Sequence, residues 1–194
     1  TGIPREAMFL VSKDGFLTFR GGPPSDRDAW IQEEIVGPGR GRAEDIAEQT
    51  PHCLSPEYIE YQLDLSRNLM GVETLDAFLI DQSEVHIPEI GKEQVNQKLE
   101  KIFEVLEWAV AEGRLRYYGI STFEGFRVET DHQLFQSLTS LQGLAEKAYQ
   151  AVTGADDSRH HFLIAQMPFN QVMLEGFTRF NQATGQGNVA STLQ

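Results

Sequence analysis

Apolar positions along the chain fall into two registers. Short runs that are apolar on both faces, at residues 7–12, 74–80, 115–120 and 162–166, read as buried strands. Between them the apolar residues recur at three and four. Ser55-Pro56 opens a helix with Ser as N-cap and Pro in its first position; Ile59, Leu63 and Leu69 form its apolar face, and Gly71 stops it. The clearest helix carries Val95, Leu99, Ile102, Phe103, Leu106 and Val110, and Gly113 ends it. A third carries Leu134, Leu138, Leu141, Leu144 and Ala148. The tail from about Asn181 is rich in Gly, Asn and Gln, with a weak helical start near Val189. The predicted order is β-α-β-α-β-α-β, which implies a parallel sheet covered by helices. Two architectures satisfy it: an open doubly wound sheet, or part of a (β/α)8 barrel. A whole barrel takes about 250 residues, and four strands cannot close one. No strand is followed by G-x-G-x-x-G, so the dinucleotide fingerprint of the open sheet is missing.

The forty residues after Gly15 hold five Gly and four Pro ("GGPPSD", "GPGRG", "TPHC"), and residues 14–54 read as a long loop insertion within one domain. Loops of that length are uncommon inside a domain and are often functional. With 194 residues, 40% of them hydrophobic, the chain suits a single domain over 1–194. A net charge of -13 with no Lys/Arg cluster argues against nucleic acid or anionic membranes as partners. No apolar run approaches the roughly 20 residues of a membrane span. The opening "TGIPREAMFL" does not read as a signal peptide and, lacking Met, reads as trimmed upstream. Cys53 stands alone, which rules out an internal disulfide and suits a reducing, intracellular compartment.

In either architecture the ligand site lies at the carboxyl ends of the strands. There stand Lys13 and Asp14, then Asp81, Gln82 and Glu84, then Ser121 and Thr122, then Gln166 and Asn170, a polar ring without a histidine. Each has a plainer explanation: Lys13 as a solvated loop charge, Asp81 as a turn cap, Ser121-Thr122 as the cap of a following helix, Gln166 as a common strand-end residue. His160-His161 are adjacent, so their rings diverge on a strand, and His52-Cys53 has no second pair at ligand spacing; no metal is expected. G-x-S-x-G and the Walker loop are both absent. Arg114 and Arg116 flank the start of the third strand, at the end of a barrel that serves stability.

Four phrases, "FLVSKDGF", "HCLSPEYIEYQLDLSRNLMGVETLDAFLI", "LEWAVAEGRLRYYGIST" and "IAQMPFN", resemble, in order and spacing, the aldo-keto reductase superfamily, most closely a branch with a histidine-cysteine-x-x-Pro segment. The resemblance runs from Ala7 to about Asn181. It implies a partial (β/α)8 TIM barrel, parallel strands alternating with helices, with this chain supplying strands three to six. The ends of such a part are open, so further chain or a protein partner is expected to cover the barrel edges. The resemblance also implies NADPH as cofactor and hydride transfer to a small carbonyl substrate, with a tyrosine as proton donor, a lysine that lowers its pKa, an aspartate that pairs with the lysine and a histidine that orients the carbonyl. Lys13 matches the lysine. Ser121 and Gln166 match residues that hold the nicotinamide carboxamide, and Thr122 stands where the family has asparagine. The tyrosine and aspartate belong to a strand before Ala7.

Asp81 stands where the family places its histidine. A neutral imidazole donates a hydrogen bond to the carbonyl, whereas an ionised carboxylate cannot, and it repels the developing oxyanion. Asp81 either is protonated in an apolar pocket or pairs with Lys13, and the pairing costs less. Two functions follow: a pseudoenzyme with weak or lost carbonyl reduction that acts as a structural or interaction subunit, or an active NADPH-dependent reductase with altered substrate choice. An unrelated α/β domain binding another phosphate ligand is the plain alternative.

Overall fold

The computed structural model describes residues 2–19, 21–155, 157–184 and 187–194. A 3-10 turn at Arg5–Ala7 leads into β1 (Val11–Asp14). The insertion follows: α1 (Arg27–Ile31) continues as a π-helical turn, Gln32–Val36, and a 3-10 turn spans Ala43–Asp45. Then come α2 (Pro56–Met70), β2 (Leu75–Asp81), a 3-10 turn at Ser83–His86, α3 (Ile87–Ile90), α4 (Lys92–Ala111), β3 (Leu115–Ser121), α5 (Leu138–Thr153), β4 (Phe162–Gln166), α6 (Glu175–Thr178), β5 (Gln182–Ala183) and β6 (Val189–Ala190).

β1 to β4 form one parallel sheet in the order β1-β2-β3-β4. A doubly wound sheet reverses its strand order at a switch point; this one does not. Phe78 and Ile80 of β2, Tyr118 and Ile120 of β3 and Phe162 of β4 share one core with Ile59 and Leu63 of α2, Leu99, Ile102 and Phe103 of α4, and Leu141 and Ala145 of α5. The three long helices therefore cover the same sheet face. Sequential parallel strands with helices on one face are the architecture of a partial (β/α)8 barrel. On the opposite face lie Val11, Lys13, Ala77, Leu79, Asp81, Tyr117, Gly119 and Ser121, as the strand registers require, and none of them belongs to that core.

Local chemistry sets the helix ends. The Ser55 hydroxyl accepts from the Tyr58 N–H at 3.2 Å, Pro56 follows at the first position, and Gly71 closes α2 in the left-handed region at φ 66°. Such an N-cap contributes about 1 kcal/mol. The strands start and stop within a few residues of their sequence-based limits, except that the first begins only at Val11, because Arg5–Ala7 coil into a turn. α5 starts at Leu138, capped by Ser137; Leu134 precedes it, half-buried against the core. The helical start near Val189 is not found: Val189–Ala190 pair antiparallel with Gln182–Ala183. The insertion is more ordered than a loop. Leu17, Ile31, Ile35, Cys53 and Tyr58 are buried together, with Phe19 and Trp30 edge-to-face beside them at 4.7 Å, so the Gly/Pro-rich segment carries a small core against α2. Within the insertion only Ile31 and Ile35 stand at helical spacing, too short a pattern to reveal the core.

At the amino ends of the strands, Asp76 is buried between two arginines. Its carboxylate lies 2.7 Å from Arg5 Nη2 and 2.9 Å from Arg116 Nη1, and accepts from the Leu10 N–H at 2.8 Å. Nearby, buried Glu107 accepts from the Tyr118 hydroxyl at 2.9 Å and the His161 N–H at 2.8 Å, and lies 2.6 Å from His161 Nδ1. No helix of the described residues is long and apolar enough to cross a membrane.

Candidate functional site

Register brings the predicted site residues together. Asp81 pairs with Ser121 and Ser121 with Gln166, so the three stand side by side on one face at the strand ends; Lys13, opposite Leu79, sits one pleat earlier on that face. They line a cavity of about 300 Å3 with Gln82, Thr122, Phe123, Met167 and Pro168. That volume is at the lower end of small-molecule pockets, enough for one ring-sized moiety.

Within the cavity Lys13 Nζ lies 3.2 Å from Asp81 Oδ1 and donates to the Ser121 hydroxyl at 3.3 Å. The Lys13 side chain is 47% exposed and that of Asp81 13% exposed, so water still reaches the cation. Asp81 caps no turn; it meets the lysine. Thr122 starts no helix. Its hydroxyl donates to Glu84 Oε1 and accepts from the Gly125 N–H at 2.7 Å, capping the turn after β3. Gln166 is exposed, and its side-chain amide has no hydrogen bond to another described residue.

The turn after β2 is built with unusual care. Gln82 is the one non-glycine among the described residues at positive φ, 50°, and its N–H donates to the Ser121 carbonyl at 2.6 Å. A left-handed non-glycine costs on the order of 1 kcal/mol and concentrates at functional sites. Glu84 is buried and collects the Thr122 hydroxyl and the N–H groups of Phe123 (2.8 Å) and Glu124 (3.2 Å), locking the β3 end to the β2 end. Its second oxygen is buried without a partner among the described residues, as is Oε1 of Gln136, whose amide donates to the Ser83 hydroxyl at 2.9 Å.

Sequence reading placed no histidine here, and the structure corrects that. His52, returning from the insertion, lies with Nε2 2.6 Å from the Asp81 carbonyl oxygen and Nδ1 2.9 Å from His86 Nε2. Both rings are buried, and burial pushes both pKa values down to about 4. The two are 34 residues apart, so no local spacing revealed the pair. Asp14, just after Lys13, is pushed up to about 6, chiefly by burial; the Gly15 N–H at 2.6 Å opposes this and the Asp81 charge adds to it. Asp14 faces a second, larger cleft of about 600 Å3 between the insertion and α2, with Trp30, Arg40, Tyr58 and Tyr61. Cys53 is buried and its thiol is pushed up to about 12 by burial, which makes it a poor nucleophile. Among the described residues no cluster of His, Cys, Asp and Glu is arranged to hold a metal ion.

A nicotinamide carboxamide needs one acceptor and one donor side by side. The Ser121 hydroxyl and the Gln166 amide, neighbours in register, offer both. The Thr122 hydroxyl is committed to Glu84 and Gly125 and does not fit that task.

The sequence matches the family model described as the Aldo/keto reductase family over residues 28–134. Among solved structures, a crystal structure of a Pseudomonas aeruginosa protein assigned as an aldo-keto reductase is similar at 14% identity and a TM-score of 0.39; the alignment covers 84% of this chain and 50% of that one. This chain thus spans half the length of the solved structure it matches. A search of curated proteins finds no match.

Proposed function

This chain belongs to the aldo/keto reductase family, whose model matches more than half of it, and from that premise we propose that it is a reductase-like barrel segment in which NADPH-dependent carbonyl reduction is weak or lost and which acts as a structural or interaction subunit. The observation that carries this reading is the Lys13–Asp81 ion pair at 3.2 Å. Carbonyl reduction needs donors aimed at an oxygen that becomes negative. A carboxylate beside that oxygen opposes the charge, and by holding the lysine it diverts the cation that a proton donor requires. The engaged Thr122 hydroxyl works in the same direction.

The sheet edges support the interaction role. Among the described residues β1 and β4 each have one unpaired edge, and Val11, Tyr117 and Leu163 leave apolar surface exposed on the strands. Open edges with apolar side chains invite further pairing. The remainder of a longer chain or a protein partner covers them in this reading. The second reading, an active reductase with altered substrate choice, draws on Ser121 and Gln166, which keep the carboxamide geometry beside Lys13.

The test is calorimetric titration of NADPH into the full-length protein, with Asp81→His alongside. Tryptophan quenching is a poor reporter, because Trp30 lines the other cleft and Trp108 is exposed on α4. The expected result is no saturable binding at micromolar cofactor in the parent and a gain in binding or aldehyde reduction in Asp81→His. Micromolar binding together with aldehyde reduction by the parent would overturn the reading in favour of the active enzyme.

A further inference from the structure

β2 and β1 run in register as far as Asp14 opposite Ile80, and then β1 turns away. At that turn the Gly15 N–H bonds back to the Asp14 carboxylate at 2.6 Å. The Asp81 carbonyl is left without a strand partner, at the residue whose side chain meets Lys13. His52 fills the gap at 2.6 Å. We infer that His52 and His86 are positioning residues: a hydrogen-bond relay from His86 through His52 to the peptide carbonyl of Asp81 sets the end of β2 so that the Asp81 carboxylate meets Lys13. This rests on the reading of Lys13 and Asp81 as the functional pair.

The chemistry fixes the direction of the relay. A carbonyl only accepts, so His52 Nε2 carries the proton. The neutral ring then has a bare Nδ1, and the hydrogen bond at 2.9 Å requires His86 Nε2–H to donate into it. Charged groups around the pair are few. Asp81 faces His52; Glu89, Lys98 and Asp45 surround His86. Acids and lysine offset one another there, and burial keeps both rings neutral at pH 7.

Packing holds the relay in one place. A Cβ on Gly15 would lie 2.2 Å from His52 Nε2 and 2.9 Å from the Asp81 carbonyl oxygen, so only glycine admits the ring. The Gly15 carbonyl accepts from the Cys53 N–H at 2.7 Å, and Phe16 packs edge-to-face on His52 at 5.0 Å. The insertion thus leaves the site at Asp14 and returns to it at His52. A histidine that merely filled the core would not need its ring nitrogens spent in series on one carbonyl at the cavity edge.

The experiment uses the full-length protein and reads neither cofactor nor turnover, so it stands whichever way the NADPH titration falls. Imidazole 15N spectra at pH 7 should show both rings protonated on Nε2 and bare on Nδ1. His86→Leu should then abolish the scalar coupling between Lys13 Nζ and the Asp81 carboxyl carbon and shift the Asp81 carbonyl 13C signal. His86→Gln, whose amide can donate from the same place, should restore both. Gly15→Ala, which drives a methyl into His52 without altering either histidine, should reproduce the loss. The proposal is overturned if His52 carries its proton on Nδ1, or if folded His86→Leu and Gly15→Ala keep the parent's Lys13–Asp81 coupling.

Discussion

β2 carries an aspartate at each end of the sheet, and the two are treated in opposite ways. Asp76 is saturated. Two guanidinium groups and one backbone N–H converge on a carboxylate of which only 1% is exposed. Burial raises its pKa, but the Leu10 N–H and the charges of Arg5 and Arg116 together hold it below the usual carboxylate range. Asp81 has one partly solvated lysine at 3.2 Å, a hydroxyl nearby, and a cavity in front of it. A carboxylate held by three groups of the protein locks structure; one held by a single solvated lysine leaves capacity for something else. The same strand therefore divides its ends into an anchor and a candidate site, the division expected of a barrel.

The strongest way to break this comparison is at the anchor. Asp76→Asn leaves two arginines without their counter-charge and weakens the acceptor for Leu10. Both guanidinium groups reach water, so the cost is discounted from that of a fully buried pair to about 2–4 kcal/mol. Urea unfolding should show a lower midpoint with an unchanged slope. A loss below about 0.5 kcal/mol would mean that the anchor is no stronger than a surface pair.

Acid provides the second test, now at the site end. His52 and His86 have folded pKa values of about 4 against an ordinary 6.5. Their contribution to stability is whole above 6.5 and is lost as pH falls towards 4, because the unfolded chain takes up the protons first. Asp14, raised from 3.8 to about 6, has the reverse sign: its contribution is present below 3.8 and lost as pH rises through 6. From pH 6 down to 4 the balance for these three groups is two protons against one. Stability should fall by roughly 1.4 kcal/mol per pH unit. Asp14→Asn removes the opposing group, so the slope should steepen to about twice that. A flat profile, or a slope unchanged in Asp14→Asn, would show that these buried groups do not differ between folded and unfolded chains. Denaturant titrations at half-unit steps of pH measure it.

The legibility of these features in the sequence follows from their range. α2 and α4 were readable from three- and four-residue spacing and from Ser55, Pro56 and Gly71, because helix signals are local. Lys13, Asp81, Ser121 and Gln166 could be brought to one place because parallel strands present their carboxyl ends together. The direction of the Lys13–Asp81 contact followed from charge alone. What escaped depends on contacts across the fold. The core of the insertion joins Leu17 and Cys53 to the single i, i+4 pair Ile31 and Ile35, with no longer period. The His52–His86 pair and the Glu84 clasp join segments more than thirty residues apart. Asp76 reads as one more acid in "LDAFLID", since nothing local tells a carboxylate clamped by arginines from a free one. Val189 gives no sign of its strand, because two-residue strands carry no periodicity at all.

The smallest expected effect sharpens the comparison most. Asp81→Asn keeps the volume of the side chain and removes the charge that Lys13 meets. The lysine remains 47% exposed and can turn to water, so the ion pair contributes little. Exposed pairs of this kind measure at about 0.2–1 kcal/mol. The Asp81 carbonyl, held by His52, is untouched by the change. Thermal unfolding of Asp81→Asn should therefore stay close to the parent, several-fold less affected than Asp76→Asn, although both replace one aspartate of β2 by asparagine. If Asp81→Asn proved as damaging as Asp76→Asn, the Lys13–Asp81 pair would be a second anchor rather than a site, and the cavity beside it would lose its claim to bind anything. If it were stabilising, the reverse would hold: relief of the charge that Asp81 shares with Asp14 would outweigh the lysine, which is the mark of a carboxylate kept for a purpose other than folding.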